Sequence, residues 1–224
     1  MKTTRRGTLM LAIAVVCAMA FMGAISYAAD PKTFTILHTN DMHSSFIGMG
    51  PAADYTPFTL NDDATRGGYA RLAALIAKKK EARRGQGPVL VLDAGDYSMG
   101  TAFAAATREI GGELKLMGRM GYDATTFGNH EFDLGPDGLG RSISVAAKAG
   151  RIPAVLASNT DFTKKDATLA DLQRLAKAGV VRRYVVIEQG ASASASSACW
   201  ARKPFIIPVA VRLHSPTPSR RPKR

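Results

Sequence analysis

The chain has 224 residues, a formal net charge of +12 and two cysteines, Cys17 and Cys199. That length allows one ordinary domain with extensions, and so few thiols exclude a disulfide framework. Nor does the charge point to nucleic acid: Lys2, Arg5 and Arg6 supply three positive charges and Arg202, Lys203, Arg212, Arg220, Arg221, Lys223 and Arg224 seven, leaving +2 for residues 29–190.

Residues 1–28 have the three-part pattern of a secretory signal, with a basic start, an apolar run from Leu9 to Phe21 and a small-x-small cleavage site at Ser26-Tyr27-Ala28. The run is shorter than the roughly 20 residues a membrane span needs. Cleavage near Ala29 is therefore expected, leaving no stable span and a periplasmic or secreted protein. Thr4-Arg5-Arg6 hints at twin-arginine export, but Thr8 stands where a bulky apolar residue is usual, and general secretion fits better.

Residues 34–38 read as a strand. Residues 69–84 read as a helix with Leu72, Leu75 and Ile76 on one face and basic residues at its C-terminal end, stopped by Gly85-Gln-Gly-Pro88. Residues 89–92, Val-Leu-Val-Leu, are continuously apolar, the pattern of a strand buried on both faces. A helix near 110–120 comes next, then a strand at 124–127, a helix over 138–148, a strand at 154–157, a helix over 169–177 and a strand over 180–187. This alternation predicts an α/β fold with a mainly parallel sheet.

Near Gln189 the character changes. Residues 190–198 are Gly, Ala and Ser, and Pro and Arg dominate residues 199–224, with no acid to the end. Trp200, Phe205-Ile-Ile-Pro208 and Val209-Ala-Val-Arg-Leu213 add apolar groups with no evident context to bury them. Two readings stand: a frameshifted end of a longer gene product, which is preferred, or a disordered basic tail. The expected organisation is a signal at 1–28, the main domain over 29–188 and a non-native or disordered tail over 189–224.

The chemistry gathers just after three of the predicted strands. Strand ends of a parallel sheet share one edge, so residues beyond them can converge on a crevice. Asp41 and His43 follow the first strand at a spacing that lets one turn aim both at a single ion, an oxygen and a nitrogen suited to zinc, manganese, iron or cobalt more than to calcium. Asp96 follows the second, after Gly95, and can bridge two cations. Asn129 offers a neutral oxygen after the third. His130 can serve as an acid or stabilise a transition state, with Asp133 placed to orient and charge it. Singly, Asp-x-His or Gly-Asp is commonplace, and Gly-Asn-His-Glu-Phe-Asp could be a loop with an Asx turn; together, each after a strand, they form a pattern. His38 is expected to be packed or to support a ligand, Asp93 to cap a strand end, and Asp123, Asp137, Asp62 and Asp63 to be solvated.

Ile36-Leu-His-Thr-Asn-Asp-Met-His43, Gly67-Gly-Tyr-Ala-Arg-Leu72, Val91-Leu-Asp-Ala-Gly-Asp96 with Gly100-Thr101, Thr126-Phe-Gly-Asn-His-Glu-Phe-Asp-Leu-Gly135 and Ala157-Ser-Asn-Thr160 resemble the N-terminal part of the secreted bacterial 5'-nucleotidase family, within the calcineurin-like metallophosphoesterases. The resemblance implies a partial four-layer α-β-β-α sandwich and two divalent metal ions of the Zn, Mn, Co or Fe type. It implies Asp41 and His43 on one metal, Asp96 bridging, Asn129 on the second, and His130 with Asp133 as a catalytic dyad. Asn159 matches a family position with no assigned role. The implied substrates are nucleoside 5'-phosphates or related phosphate esters, with no nucleic-acid partner.

The family completes its site with a later strand-end histidine, a Gly-His-x-His loop and a nucleoside-gripping domain. Here the one histidine after His130 is His214, in Leu-His-Ser-Pro. The expectation is a truncated, catalytically impaired hydrolase with an apolar sheet face uncovered. The alternative is a non-catalytic binding module or decayed fragment.

Overall fold

The computed structural model describes residues 33–50, 65–189 and 209–213. The signal-like segment, Asp62 and Asp63, and most of the stretch beyond Gln189 lie outside these residues. Seven strands and five helices are described: β1 (Thr35–Thr39), α1 (Tyr69–Ala82), β2 (Val89–Asp93), α2 (Thr107–Ile110), α3 (Gly112–Met120), β3 (Ala124–Thr126), α4 (Gly135–Lys148), β4 (Ala154–Leu156), α5 (Ala170–Lys177), β5 (Val181–Arg182), β6 (Val185–Gln189) and β7 (Val209–Leu213).

β1 to β5 form one sheet in chain order, every neighbouring pair parallel. Parallel neighbours need crossover connections, and these are right-handed almost without exception. A strand order that never reverses direction therefore sends every crossover helix to the same face. The packing agrees: Tyr69 and Ile76 of α1, Leu114 and Met117 of α3, Ile143 and Ala146 of α4, and Leu172 and Leu175 of α5 are buried in one cluster with Val91, Val155 and Val181 of the strands. Each buried Val, Leu, Ile or Met side chain among them contributes about 1.5–3 kcal/mol on burial.

The opposite face carries Leu90 and Leu92 of β2, Ala124 of β3 and Leu156 of β4, against which Val185 and Ile187 of β6 pack. β6 pairs in parallel with β7, Val185 opposite Val209, as a second sheet. Helices, first sheet and second sheet thus supply three layers of an α-β-β-α arrangement. The face expected to lie bare is largely buried; its exposed part is at the edge strand, where Ile36 is 48% exposed. Val209–Leu213, read from sequence as lacking a partner, is a paired strand.

Three boundaries differ from expectation. The helix predicted near 110–120 is α3 and starts at Gly112, because Gly111 at φ 60 separates it from the short α2 before it. α4 begins at Gly135 rather than 138, with Pro136 in its first turn, where a missing N–H costs nothing. The strand predicted over 180–187 is divided: β5 ends at Arg182 in the first sheet and β6 starts at Val185 in the second.

Candidate metal centre

β1 and β2 run in register to Thr39 opposite Asp93, and the pairing continues past both strands. The amide of Ala94 donates to Thr39 O at 2.9 Å, Asp41 N to Gly95 O at 3.0 Å, His43 N to Asp96 O at 3.0 Å and Ser44 N to Tyr97 O at 2.9 Å. The first loop is thereby laid along the second, residue by residue. This path puts Asp41, His43, Ser44, Asp96 and Met99 at φ between 47 and 65, the non-glycine residues with positive φ among those described. A left-handed L-residue costs on the order of 1–2 kcal/mol, and such strain gathers where side chains must be held for a purpose.

The strain aims three ligating groups at one point. One ligand atom each from Asp41, His43 and Asp96 lies within 4.8 Å of the other two. His43 Nε2 is 3.7 Å from Asp41 Oδ1, and Asn40 Nδ2 donates to Asp41 Oδ2. Two carboxylate oxygens and an imidazole nitrogen at this separation fit a divalent cation of the borderline class.

The loop after β3 closes on the same place. Gly95 and Gly128 allow it: a Cβ on Gly95 would lie 2.4 Å from Gly128 N, and one on Gly128 would lie 2.1 Å from Asp96 Oδ1. Asp96 Oδ1 accepts from the backbone N–H of His130 at 2.9 Å. The His130 ring meets the His43 ring edge-on, centroids 5.1 Å apart. Residues His130–Phe132 form a 3-10 turn, in which positions i and i+3 eclipse. That brings Asp133 Oδ2 to 2.7 Å from His130 Nδ1. The bond to Asp133 raises the His130 pKa, with burial acting the other way. Asn129 precedes the turn and lines an open cleft of about 320 Å³ with Phe132 and Asn159.

The structure thus brings Asp41, His43 and Asp96 together as a candidate ligand set, and His130 with Asp133 as a hydrogen-bonded pair beside it. Two sequence expectations are corrected. His38 is exposed, because it shares the β1 face of exposed Ile36. Asp123 is not solvated: its carboxylate accepts from Val91 N at 2.9 Å and lies 3.7 Å from Arg151 Nη2. Asp137 is half-exposed and paired with Arg108 at 2.9 Å.

Buried carboxylates hold the loops, among them Glu113, which accepts from Ser44 Oγ at 2.7 Å. Asp93 accepts from Thr125 Oγ1 at 2.6 Å, Thr39 Oγ1 at 2.9 Å and Gly95 N at 3.1 Å, so the strand-end cap is there. Sequence reasoning passed over Glu131, which accepts from Asp96 N at 2.9 Å, Ser98 N at 3.1 Å, Ser98 Oγ at 2.9 Å and Gly128 N at 2.6 Å. Burial raises its pKa and these bonds oppose the rise. Its one sequence signal is position: an acid enclosed between His130 and Asp133 in a turn too short to turn every side chain outward.

A parallel sheet whose strand ends gather two carboxylates, an imidazole and a second, carboxylate-paired imidazole defines an α/β protein with a candidate divalent-metal centre. The sequence matches the family described as Calcineurin-like phosphoesterase over residues 34–219, and the chain belongs to that family. It is 41% identical over 120 residues to a 5'-nucleotidase of Bos taurus, covering 53% of this chain and 20% of that one. It is 36% identical over 110 residues to the trifunctional nucleotide phosphoesterase protein YfkN of Bacillus subtilis (strain 168), covering 49% and 6%. Among solved structures it is similar to a 5'-nucleotidase precursor from Thermus thermophilus, with 31% identity, a TM-score of 0.44 and coverage of 61% and 24%. The chain spans about a fifth of the length of the curated 5'-nucleotidases it matches. Among the described residues no helix is long and apolar enough to cross a membrane.

Proposed function

We propose that this chain carries the first part of a metal-dependent phosphoester hydrolase site of the 5'-nucleotidase type, directed at nucleoside 5'-phosphates or related phosphate esters. The observation that carries the reading is the Asp41, His43 and Asp96 set, within 4.8 Å, beside the 2.7 Å pair of His130 and Asp133. Relatives named 5'-nucleotidase support the substrate class.

Asp41 and His43 would hold one ion, Asp96 would be shared, and Asn129 would offer its amide oxygen to a second. Bound there, a divalent cation polarises phosphoryl oxygens and lowers the pKa of water. Asp133 fixes His130 through Nδ1, which leaves Nε2 to donate to a phosphoryl or leaving-group oxygen. The raised pKa keeps that proton in place to higher pH than a free imidazole would. Asp96 Oδ1 accepts from His130 N, which would leave its other oxygen the freer one to hold an ion.

Two carboxylates, one imidazole and one amide are few ligands for two catalytic ions. We therefore propose weak metal binding and poor turnover for this chain by itself. Phosphate release from AMP with added Mn2+ or Zn2+ tests this. Slow release abolished by His130→Ala supports a residual hydrolytic site, whereas metal binding without any release supports the binding-module alternative. Turnover at an ordinary enzymatic rate, on the order of 10 per second, would remove the impairment. The signal-like residues 1–28 support a periplasmic or secreted location; a mature N-terminus found at Met1 would oppose it.

A further inference from the structure

The geometry points to Glu131 as the positioning residue of this centre: a buried carboxylate that sets the Asp96 side chain by binding, through one oxygen, the backbone on both sides of it. The inference rests on the metal-site reading above. Glu131 is only 3% exposed, and both of its oxygens are taken up by donors of the loops. Its Oε2 accepts from Asp96 N at 2.9 Å and Gly128 N at 2.6 Å, and its Oε1 from Ser98 N at 3.1 Å and Ser98 Oγ at 2.9 Å. Four donors from the loops after β2 and β3 converge on one anion, which offsets the cost of burying it.

What these bonds hold is specific. Asp96 lies at φ 52, in the left-handed region that L-residues enter at a cost, and its N–H donates to Glu131 there. Gly128, held by the same oxygen, lies so close over the Asp96 carboxylate that a Cβ there would be 2.1 Å from Oδ1. His130 N fixes that same Oδ1. Releasing Glu131 frees the Asp96 backbone and the strand of chain above it together, so the carboxylate loses its aim before the core loses its packing. Glutamine cannot substitute, because its NH2 would face two of the four donors. Aspartate is a methylene too short to reach both loops.

Three measurements on the full chain decide this: amide hydrogen exchange without metal, Mn2+ affinity by titration calorimetry, and thermal melting. In the wild type, the amides of Asp96, Ser98 and Gly128 should be protected without metal. Glu131→Gln should expose those three amides and lower Mn2+ affinity about 10–100-fold, the range for groups that orient ligands. Ile143→Ala, in the helix-side core, should lower the melting temperature yet leave Mn2+ affinity within about twofold, as a distant site should. Wild-type Mn2+ affinity in folded Glu131→Gln, or an equal loss in Ile143→Ala, would overturn the inference. If Glu131→Gln does not fold, the wild-type amides decide: protection supports the role and rapid exchange refutes it. A wild-type chain that binds no Mn2+ would strike the hydrolase reading, while exchange would still decide what Glu131 holds.

Discussion

The two ends of the first sheet reverse the chain by different means. Where the chain enters β2, β3, β4 and β5, left-handed backbone falls on glycine, Gly121 at φ 84 before β3 being one case. Where it leaves β1 and β2, that conformation falls on Asp41, His43, Ser44, Asp96 and Met99 as well. Glycine makes a turn with little strain but presents nothing. The leaving end accepts strain where three of those residues are the proposed ligands, and it recovers stability from a ladder of amide bonds and from buried carboxylates. Stability and chemistry are thus divided between opposite ends of the same strands.

The division can be broken most severely at Gly128. Gly128→Ala places a Cβ 2.1 Å from Asp96 Oδ1 and 2.7 Å from Asp96 N, and should cost about 3 kcal/mol while lowering Mn2+ affinity at least tenfold. Denaturant melts paired with Mn2+ titration measure both, and unchanged affinity would show that this close approach does not hold Asp96. At the entering end, Gly121→Ala forces a side chain into φ 84 and sets its Cβ 2.9 Å from the movable Lys80 Nζ. It should cost about 1–2 kcal/mol with Mn2+ affinity unaltered. An affinity loss there would erase the separation between the ends.

The smallest effect concerns Asp93. Burial pushes its carboxyl from 3.8 up to about 6, although bonds from Thr125, Thr39 and Gly95 pull the other way. A raised carboxyl pKa means that the folded chain takes up its proton before the unfolded chain does. This group's contribution to stability therefore rises as pH falls through about 6 and levels off below 3.8. From pH 7 to pH 5 the gain should be about 1 kcal/mol. Denaturation at both values, with Asp93→Asn as the chain lacking this titration, checks the sign; the same pH dependence in both chains would clear Asp93 of the effect.

Much of this was legible in the sequence, for physical reasons that also mark where it stopped. Val89-Leu-Val-Leu92 can be little else than a buried strand, and the chemical residues are visible because each stands just past such a run. The break at Gly111 had a local signal in the Gly111-Gly112 pair, but periodicity does not report which residue takes the left-handed φ. Residues 180–187 have the composition of one strand, and only the competition between two sheets divides them after Arg182. Glu131 and Asp123 look like solvated acids until backbone amides 35 and 32 positions away in the chain are seen to donate to them. Long-range partners of this kind leave no local pattern.

The chain-order arrangement of β1 to β5 also bears on how the molecule is assembled. Each strand from β2 to β5 joins the one made just before it, so on emerging it finds a partner already made. On the ribosome the sheet can grow by one strand and one helix at a time, from its edge at β1 outward. The Asp41 loop would then await β2, and the His130 turn β3, so the centre is completed in the order in which its residues leave the ribosome.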